Sequence, residues 1–372
     1  MSDTTPVGGG ERFRLRLSAI IWFVLLAGFL LALPVLIGVS WLVVLGVVAA
    51  ALILAFPGAW LVRKLFRHQR VQAFFTSFAK AFVALLFSLS IIVAAPIYYF
   101  ALYTDLHPLI VPQATLSNGS KTVVFQGMTH IGSEGFYKSV VYDLEKALTE
   151  DYVLYYEGVM GDPAGDAWFS QHMAGGGDLN TNYQMLSDVC GLQFQLDYFG
   201  LLDADRKVHP ERHVSADVTT GDMMREYERL MQSDPEFAAD QKPAATPAVA
   251  PAADAAVSEQ AGAGITGLIG FLQNGSPELR NLAGTVCRGF MTYTLTQAAA
   301  PEQMDKVILV FRNRALADRI LSDTHEKIYI TYGAGHLPGL FAMLQAADPN
   351  WTMESLKWLR TLEAPEDLQG QL

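Results

Sequence analysis

Residues Leu17 to Val62 contain no ionisable side chain, and Ala81 to Tyr103 form a second run without a charged residue. A bilayer core is crossed by about 20 consecutive apolar residues in a helix. The first run is roughly twice that length, so it accommodates two helices, residues 17–37 and 41–62, joined near Gly38-Val39-Ser40. The second accommodates one, residues 81–103. The chain is 51% hydrophobic and only 17% charged over 372 residues, and this leading segment holds the apolar excess. A cleavable signal peptide is one short apolar stretch, and a buried core helix seldom runs about 20 residues without charge. The pattern therefore reads as a three-span membrane anchor, with membrane lipid as a partner, followed by a separate domain at residues 115–372.

Arg12, Arg14 and Arg16 precede the first span, and Arg63, Lys64, Arg67, Arg70 and Lys80 lie between the second and third. Basic flanks stay in the cytoplasm, which makes residues 1–16 a cytoplasmic tail and predicts that the chain after Tyr103 lies outside. The formal charge of -11 and the lack of a Lys/Arg cluster after the third span argue against nucleic acid as a partner, because phosphate binding needs a basic face. Cys190 and Cys287 follow no spacing motif. They read as two unpaired buried thiols, with a disulfide as the alternative that an outer compartment permits.

Beyond Lys121, short apolar strands alternate with amphipathic helices, the signature of an α/β fold with a central, mostly parallel sheet. Thr122 to Gln126 reads as a buried strand ending at Gly127. Ser133 caps a helix with Phe136, Val140, Val141, Leu144 and Leu148 at helical spacing,. Tyr152 to Tyr156 is the next strand, completing a right-handed parallel unit. Gly158 to Arg229 reads as mostly helical, with a polar helix from Asp222 to Met231. Residues 233–264 are Ala/Pro-rich and predict a mobile linker or surface excursion. Ile265 to Gln297 returns to helical composition, a helix starts at Pro301 and runs to Leu321, Lys327 to Tyr332 is a buried strand, and an apolar helix begins at Leu340,.

One internal echo carries the chemistry. Gly127-Met128-Thr129-His130 and Gly333-Ala334-Gly335-His336 each end an apolar strand with a glycine, two residues and a histidine, and Glu157 directly follows the strand at Tyr152 to Tyr156. Ligands of parallel sheets gather beyond the carboxyl ends of strands, so the spacing predicts that His130, Glu157 and His336 face one cleft. Two imidazoles and a carboxylate can hold a divalent ion that activates water; without metal, one histidine can serve as general base with Glu157 orienting it. Each residue taken singly also fits a bland role, His130 as a structural histidine and Glu157 as a solvated strand end.

Arg312 and Asn313 interrupt the apolar run Val307 to Phe311. A charge placed there requires a partner, and the pair reads either as helix surface or as an anion clamp. His213 and Asp217 are candidate accessory groups that read more simply as surface loop, and His172, His209 and His325 as solvent-exposed side chains. His325-Glu326 does not begin an HExxH motif, since position 329 is Tyr329. Gly132-Ser133-Glu134-Gly135 is no nucleophile elbow, and Gly175-Gly176-Gly177 no phosphate loop,.

GMTH at Gly127 to His130, the strand ending in Glu157, the Arg312-Asn313 pair and GAGHLPG at Gly333 to Gly339 together resemble the TraB/PrgY/GumN/Tiki family, related to the ChaN and erythromycin esterase clan. The resemblance spans about Lys121 to Leu344. It implies an α/β domain and, for the Tiki branch, a metal-dependent protease with His130, Glu157 and His336 as ligands, Mn²⁺ or Co²⁺ ahead of Zn²⁺, and Arg312 stabilising the developing oxyanion. The basic flanks place the domain on the periplasmic side of a bacterial inner membrane, and the resemblance makes peptides or proteins the expected substrates. Other members bind haem or handle peptide pheromones, so a non-catalytic sequestering protein and a metal-free esterase-like hydrolase remain alternatives. The three leading spans and the Ala/Pro insertion depart from the usual family pattern.

Overall fold

Three helices lead the chain: α1 (Gly9–Leu36), α2 (Trp41–Leu65) and α3 (Phe74–Leu106). Each is long and apolar enough to cross a membrane. The computed structural model describes residues 9–65, 74–173, 179–241, 275–296 and 301–362. Most of the Ala/Pro-rich insertion and Arg67 and Arg70 lie outside those residues. Gly38, between α1 and α2, has a φ of +68°, the left-handed region that glycine enters without Cβ strain. Large apolar side chains such as Trp22, Phe23, Ile53, Phe75 and Ile92 remain exposed on these helices.

The chain forms two units, one of Met1–Tyr103 with Asn274–Phe290 and Asp367–Leu372, the other of Thr104–Gln273 with Met291–Glu366. In the first, Leu33, Val39, Ala94 and Ile97 are buried, and Leu282 and Val286 pack against them. Those two side chains belong to a helix, Pro277–Thr296, so the segment expected in the outer domain contributes its first turns to the apolar helices instead. A Cβ on Gly289 would lie 2.3 Å from Phe100 Cβ. Only a glycine admits that approach.

The second unit is built on a six-stranded sheet. Its early elements are β1 (Ile110–Ser117), β2 (Thr122–Met128), the short β3 (Ile131–Gly132), α4 (Glu134–Thr149) and β4 (Val153–Tyr156). Then come α5 (Asp166–Met173), α6 (Leu179–Cys190), β5 (Gln193–Phe194), α7 (Gln195–Phe199), α8 (Asp203–Val208), β6 (His213–Ser215), α9 (Thr220–Ser233) and α10 (Pro235–Gln241). With the helix Pro277–Thr296 as α11, the chain ends in α12 (Arg312–Ser322), β7 (Lys327–Gly333), α13 (His336–Ala347) and β8 (Thr352–Arg360). The strand order is β6-β4-β7-β2-β1-β8. β6, β4, β7 and β2 are parallel, and β1 and β8 add antiparallel strands at one side.

The expected strand-helix-strand unit exists, but β2 and β4 are not neighbours, because β7 pairs with both. The apolar run KIYITY is buried on both faces, as a central strand requires: five consecutive residues, Ile328 to Tyr332, are buried. Ser133 caps α4, its hydroxyl accepting from Phe136 N at 3.2 Å, and Phe136, Val140, Val141, Leu144 and Leu148 form its buried stripe. A second core lies on the other face, where Leu316, Ala317, Ile320, Leu337, Leu340 and Leu344 meet Phe125, Ile328 and Ile330.

Four expectations change. The helix expected from Pro301 opens with a π-helical segment, Lys306–Phe311, before α-helix begins at Arg312; local widening alters the direction in which the following side chains leave. The last apolar helix begins at His336 rather than Leu340. Both cysteines are disulfide-bonded, since sulfur approach depends on Cα geometry that sequence spacing does not encode. Finally, residues 235–241 at the head of the presumed linker are helical, and Phe237 is fully buried with Val218, Met223, Leu230 and Val307.

Removing a buried aromatic ring costs about 3–5 kcal/mol. Phe237→Ala should therefore lower the unfolding free energy of the detergent-solubilised chain by that amount, read as a lower denaturant midpoint in equilibrium unfolding. A change within about 0.5 kcal/mol, as for a surface site, would return this segment to the linker.

Candidate functional site

The parallel register sets the site. Met128 pairs with Gly333 and Tyr156 with Thr331, so β2, β7 and β4 end together, and the residues just beyond them share one edge. Glu157 extends β4, its N–H donating to Thr331 O at 2.9 Å. His130 follows β2, and His336 opens α13. Gly127 is dictated by crowding, as a Cβ there would lie 2.8 Å from Pro112 O.

A buried arginine joins these ends. Arg312 Nε donates to Asp217 Oδ1 at 2.9 Å and Nη2 to Asp217 Oδ2 at 2.5 Å. Nη2 also donates to Glu157 Oε1 at 2.6 Å. The Arg312 side chain is 8% exposed and the Asp217 side chain 0%. Asp217 accepts two backbone hydrogen bonds as well, from Gly158 N at 3.1 Å and Val218 N at 2.9 Å. Burial opposes the arginine's charge, but the hydrogen bonds and charge of Asp217, with Glu157, outweigh it and raise its pKa. Burial likewise raises the Asp217 carboxyl, and Arg312 and the two amides more than reverse that.

Asp217 was expected on a surface loop. It is instead the buried counterion that lets α12 carry an arginine inward. The signal in the sequence was Ala216-Asp217-Val218 just past a strand and before the Thr219 cap of α9, where a short loop holds the carboxylate against β4. His213, also expected on the surface, has a side chain 1% exposed and bonds Asp205 at 2.8 Å and Tyr156 at 2.9 Å. It supports the outer strand β6 and stands apart from the arginine cluster. His172, His209 and His325 are exposed, as expected.

His336 is 3% exposed. Its Nδ1 lies 2.8 Å from Asn313 Oδ1, a carbonyl oxygen that accepts only, so the ring carries its proton on Nδ1 and turns the Nε2 lone pair toward Arg312 Nη1, 3.4 Å away,. Gly339 makes room for this, since a Cβ there would lie 2.5 Å from Asn313 Nδ2. Burial and then the Arg312 charge push the His336 pKa down to about 4, against Glu157 and Asp217. Glu157 Oε2 accepts from Gly333 N at 2.5 Å, and its side chain is 21% exposed.

His130 sits at the open side. Its ring stacks on Tyr183, centroids 4.3 Å apart, and Nδ1 is 3.0 Å from Gln195 Nε2. Surrounding protein lowers its pKa, Glu157 raises it and Arg312 lowers it. The net shift is downward, although the residue as a whole is exposed. His130 and Glu157 are reachable by solvent, while Arg312, His336, Asp217 and Asn313 are buried behind them.

A metal centre of His130, Glu157 and His336 does not fit this arrangement. His336 Nε2 and Glu157 Oε1 are 3.8 Å apart, a gap one ion can bridge at ~2.0–2.2 Å from each. The Arg312 guanidinium already stands against both atoms, and His130 is engaged by Gln195. Among the described residues no three metal-ligating side chains converge. In this structure the Arg312 donors are directed to Asp217, Glu157 and His336.

No protein-family model matches the chain, and no curated protein or solved structure is significantly similar to it.

Two outcomes follow from the buried network. Removing one partner of a buried ion pair costs about 3–5 kcal/mol, so Asp217→Ala should destabilise the protein by that order in equilibrium unfolding; a loss below about 1 kcal/mol would show the network to be dispensable. His336 stays neutral down to a pKa of about 4, whereas an unfolded histidine binds a proton below about 6.5. Stability is thus fully present above pH ~6.5 and falls as pH drops toward ~4, by at most about 1.4 kcal/mol per pH unit. His336→Gln should flatten that slope, and equal slopes in both proteins would contradict the burial of a neutral ring.

Proposed function

We propose that this cleft is the active site of a membrane-anchored hydrolase acting on a peptide or ester carbonyl outside the cytoplasm. The observation that carries the reading is that His130 and Glu157 lie past the ends of β2 and β4, the two strands that flank β7, with Glu157 held by Arg312 Nη2 and Gly333 N. In this reading the Glu157 carboxylate takes a proton from water as the water oxygen bonds to the carbonyl carbon. His130 hydrogen-bonds the carbonyl oxygen as negative charge develops there. The bond to the leaving group then breaks, and the leaving group receives the proton Glu157 took.

Membership of the family that the GxxH motifs resemble is part of this proposal, as is a bacterial inner-membrane location with the domain in the periplasm. Arg12, Arg14 and Arg16 near the start of α1, and Arg63 and Lys64 in the last turn of α2, support that orientation. A metal-dependent form of the reaction is favoured by one feature, the His336 Nε2 lone pair fixed 3.8 Å from Glu157 Oε1; it requires Arg312 to leave Glu157.

The test uses the full chain in detergent against panels of fluorogenic peptides and esters. The expected result is turnover that survives exhaustive chelation and falls about 100-fold or more in His130→Ala and Glu157→Gln. Activity abolished by EDTA and restored by Mn²⁺ would replace the reading with the metal-dependent one. Stoichiometric capture of peptide or haem without turnover would replace it with a binding role.

A further inference from the structure

Gln195 holds His130 twice. Its backbone N–H donates to His130 O at 3.0 Å, and its side-chain amide nitrogen lies 3.0 Å from His130 Nδ1. The double hold is built into the fold: β3 pairs with β5, Ile131 opposite Phe194 and Gly132 opposite Gln193, so the residue after Phe194 comes back beside the residue before Ile131. Tyr183 of α6 covers one face of the ring at an interplanar angle of 25°, and Tyr183 in turn stacks near Phe194, centroids 6.5 Å apart. Backbone, ring plane and ring edge are each fixed by a different contact.

The identity of the atom against Nδ1 decides the chemistry. An amide nitrogen offers only protons, so Nδ1 accepts, and the neutral imidazole keeps its proton on Nε2. His336 is held the opposite way, Nδ1 donating to Asn313 Oδ1 at 2.8 Å. The two GxxH segments therefore present different imidazoles, one with N–H and one with a lone pair at Nε2.

We infer that Gln195 is a positioning residue that fixes His130 as the Nε2–H tautomer, making it a neutral hydrogen-bond donor toward the substrate oxygen instead of a general base. This rests on the hydrolase reading for its catalytic meaning, while the tautomer itself is a property of the chain. A neutral donor at the carbonyl oxygen stabilises the developing oxyanion without bringing a full positive charge beside Arg312. The role of base then falls to Glu157, the other solvent-reachable group.

The experiment is ¹⁵N NMR of the full chain in lipid with ¹⁵N-labelled histidine, the His130 signals being identified by their loss in His130→Asn. Wild type should show a proton-bearing, pyrrole-type Nε2 and an unprotonated, pyridine-type Nδ1. Gln195→Glu, which replaces the donor with an acceptor, should move the proton to Nδ1, and kcat on any substrate found should fall on the order of 100-fold with KM unchanged. A wild-type spectrum with the proton on Nδ1, or one averaged over both nitrogens, overturns the inference without any variant having to fold. So does Gln195→Glu with the wild-type pattern. Because the ring's protonation site is read apart from turnover, failure here leaves the hydrolase reading standing, and absence of turnover leaves this inference standing.

Discussion

The second unit depends on one buried charge. Arg312 is carried inward by α12, and a guanidinium there is tolerable only because Asp217 grips it with two oxygens while Glu157 takes a third hydrogen bond. The desolvation of such a charge is costly without excellent geometry. That requirement reaches outward into the fold, because Asp217 needs the loop after β6, Glu157 the end of β4, and His336 the start of α13. Four segments distant in sequence are thus fixed relative to one another by a single side chain.

The network also divides labour. Behind it, Asn313 and Arg312 constrain a neutral His336, and Gly339 leaves space for the Asn313 amide. In front, His130 and Glu157 keep access to solvent. In the proposed hydrolase, the orientation of Glu157 is set by the buried Arg312 behind it,. On that proposal, loss of a supporting residue acts through geometry, and loss of His130 or Glu157 through chemistry.

Much of this was legible residue by residue. The apolar runs marked the three leading helices, because absence of charge over about 20 residues has few other solutions. TVVFQ and KIYITY marked central strands, and Ser133 marked a cap. The echo of GMTH and GAGH brought His130 and His336 to one sheet edge, and the carboxylate after the neighbouring strand joined them. The burial of Asp217 is not legible locally, because a carboxylate in a short loop looks like surface until the arginine facing it is known. The burial of Phe237 is masked by the Ala/Pro-rich composition that follows it. Gln195 carried no local signal, since its role arises from the antiparallel pairing of two-residue strands.

What the sequence determined by itself is what local pattern determines: which segments are apolar enough to span a membrane, which alternate as strand and helix, and that strand ends carry two histidines and a glutamate. Periodicity and charge spacing are short-range properties, and they fix short-range structure. Only the tertiary structure decided that β7 lies between β2 and β4, that Arg312 faces Asp217 and Glu157 rather than solvent, and that the two imidazoles are held in opposite tautomers. Those outcomes depend on hydrogen bonds between residues far apart in the chain, and the energy of a buried charge is set by the partner that reaches it, which no single stretch of sequence contains.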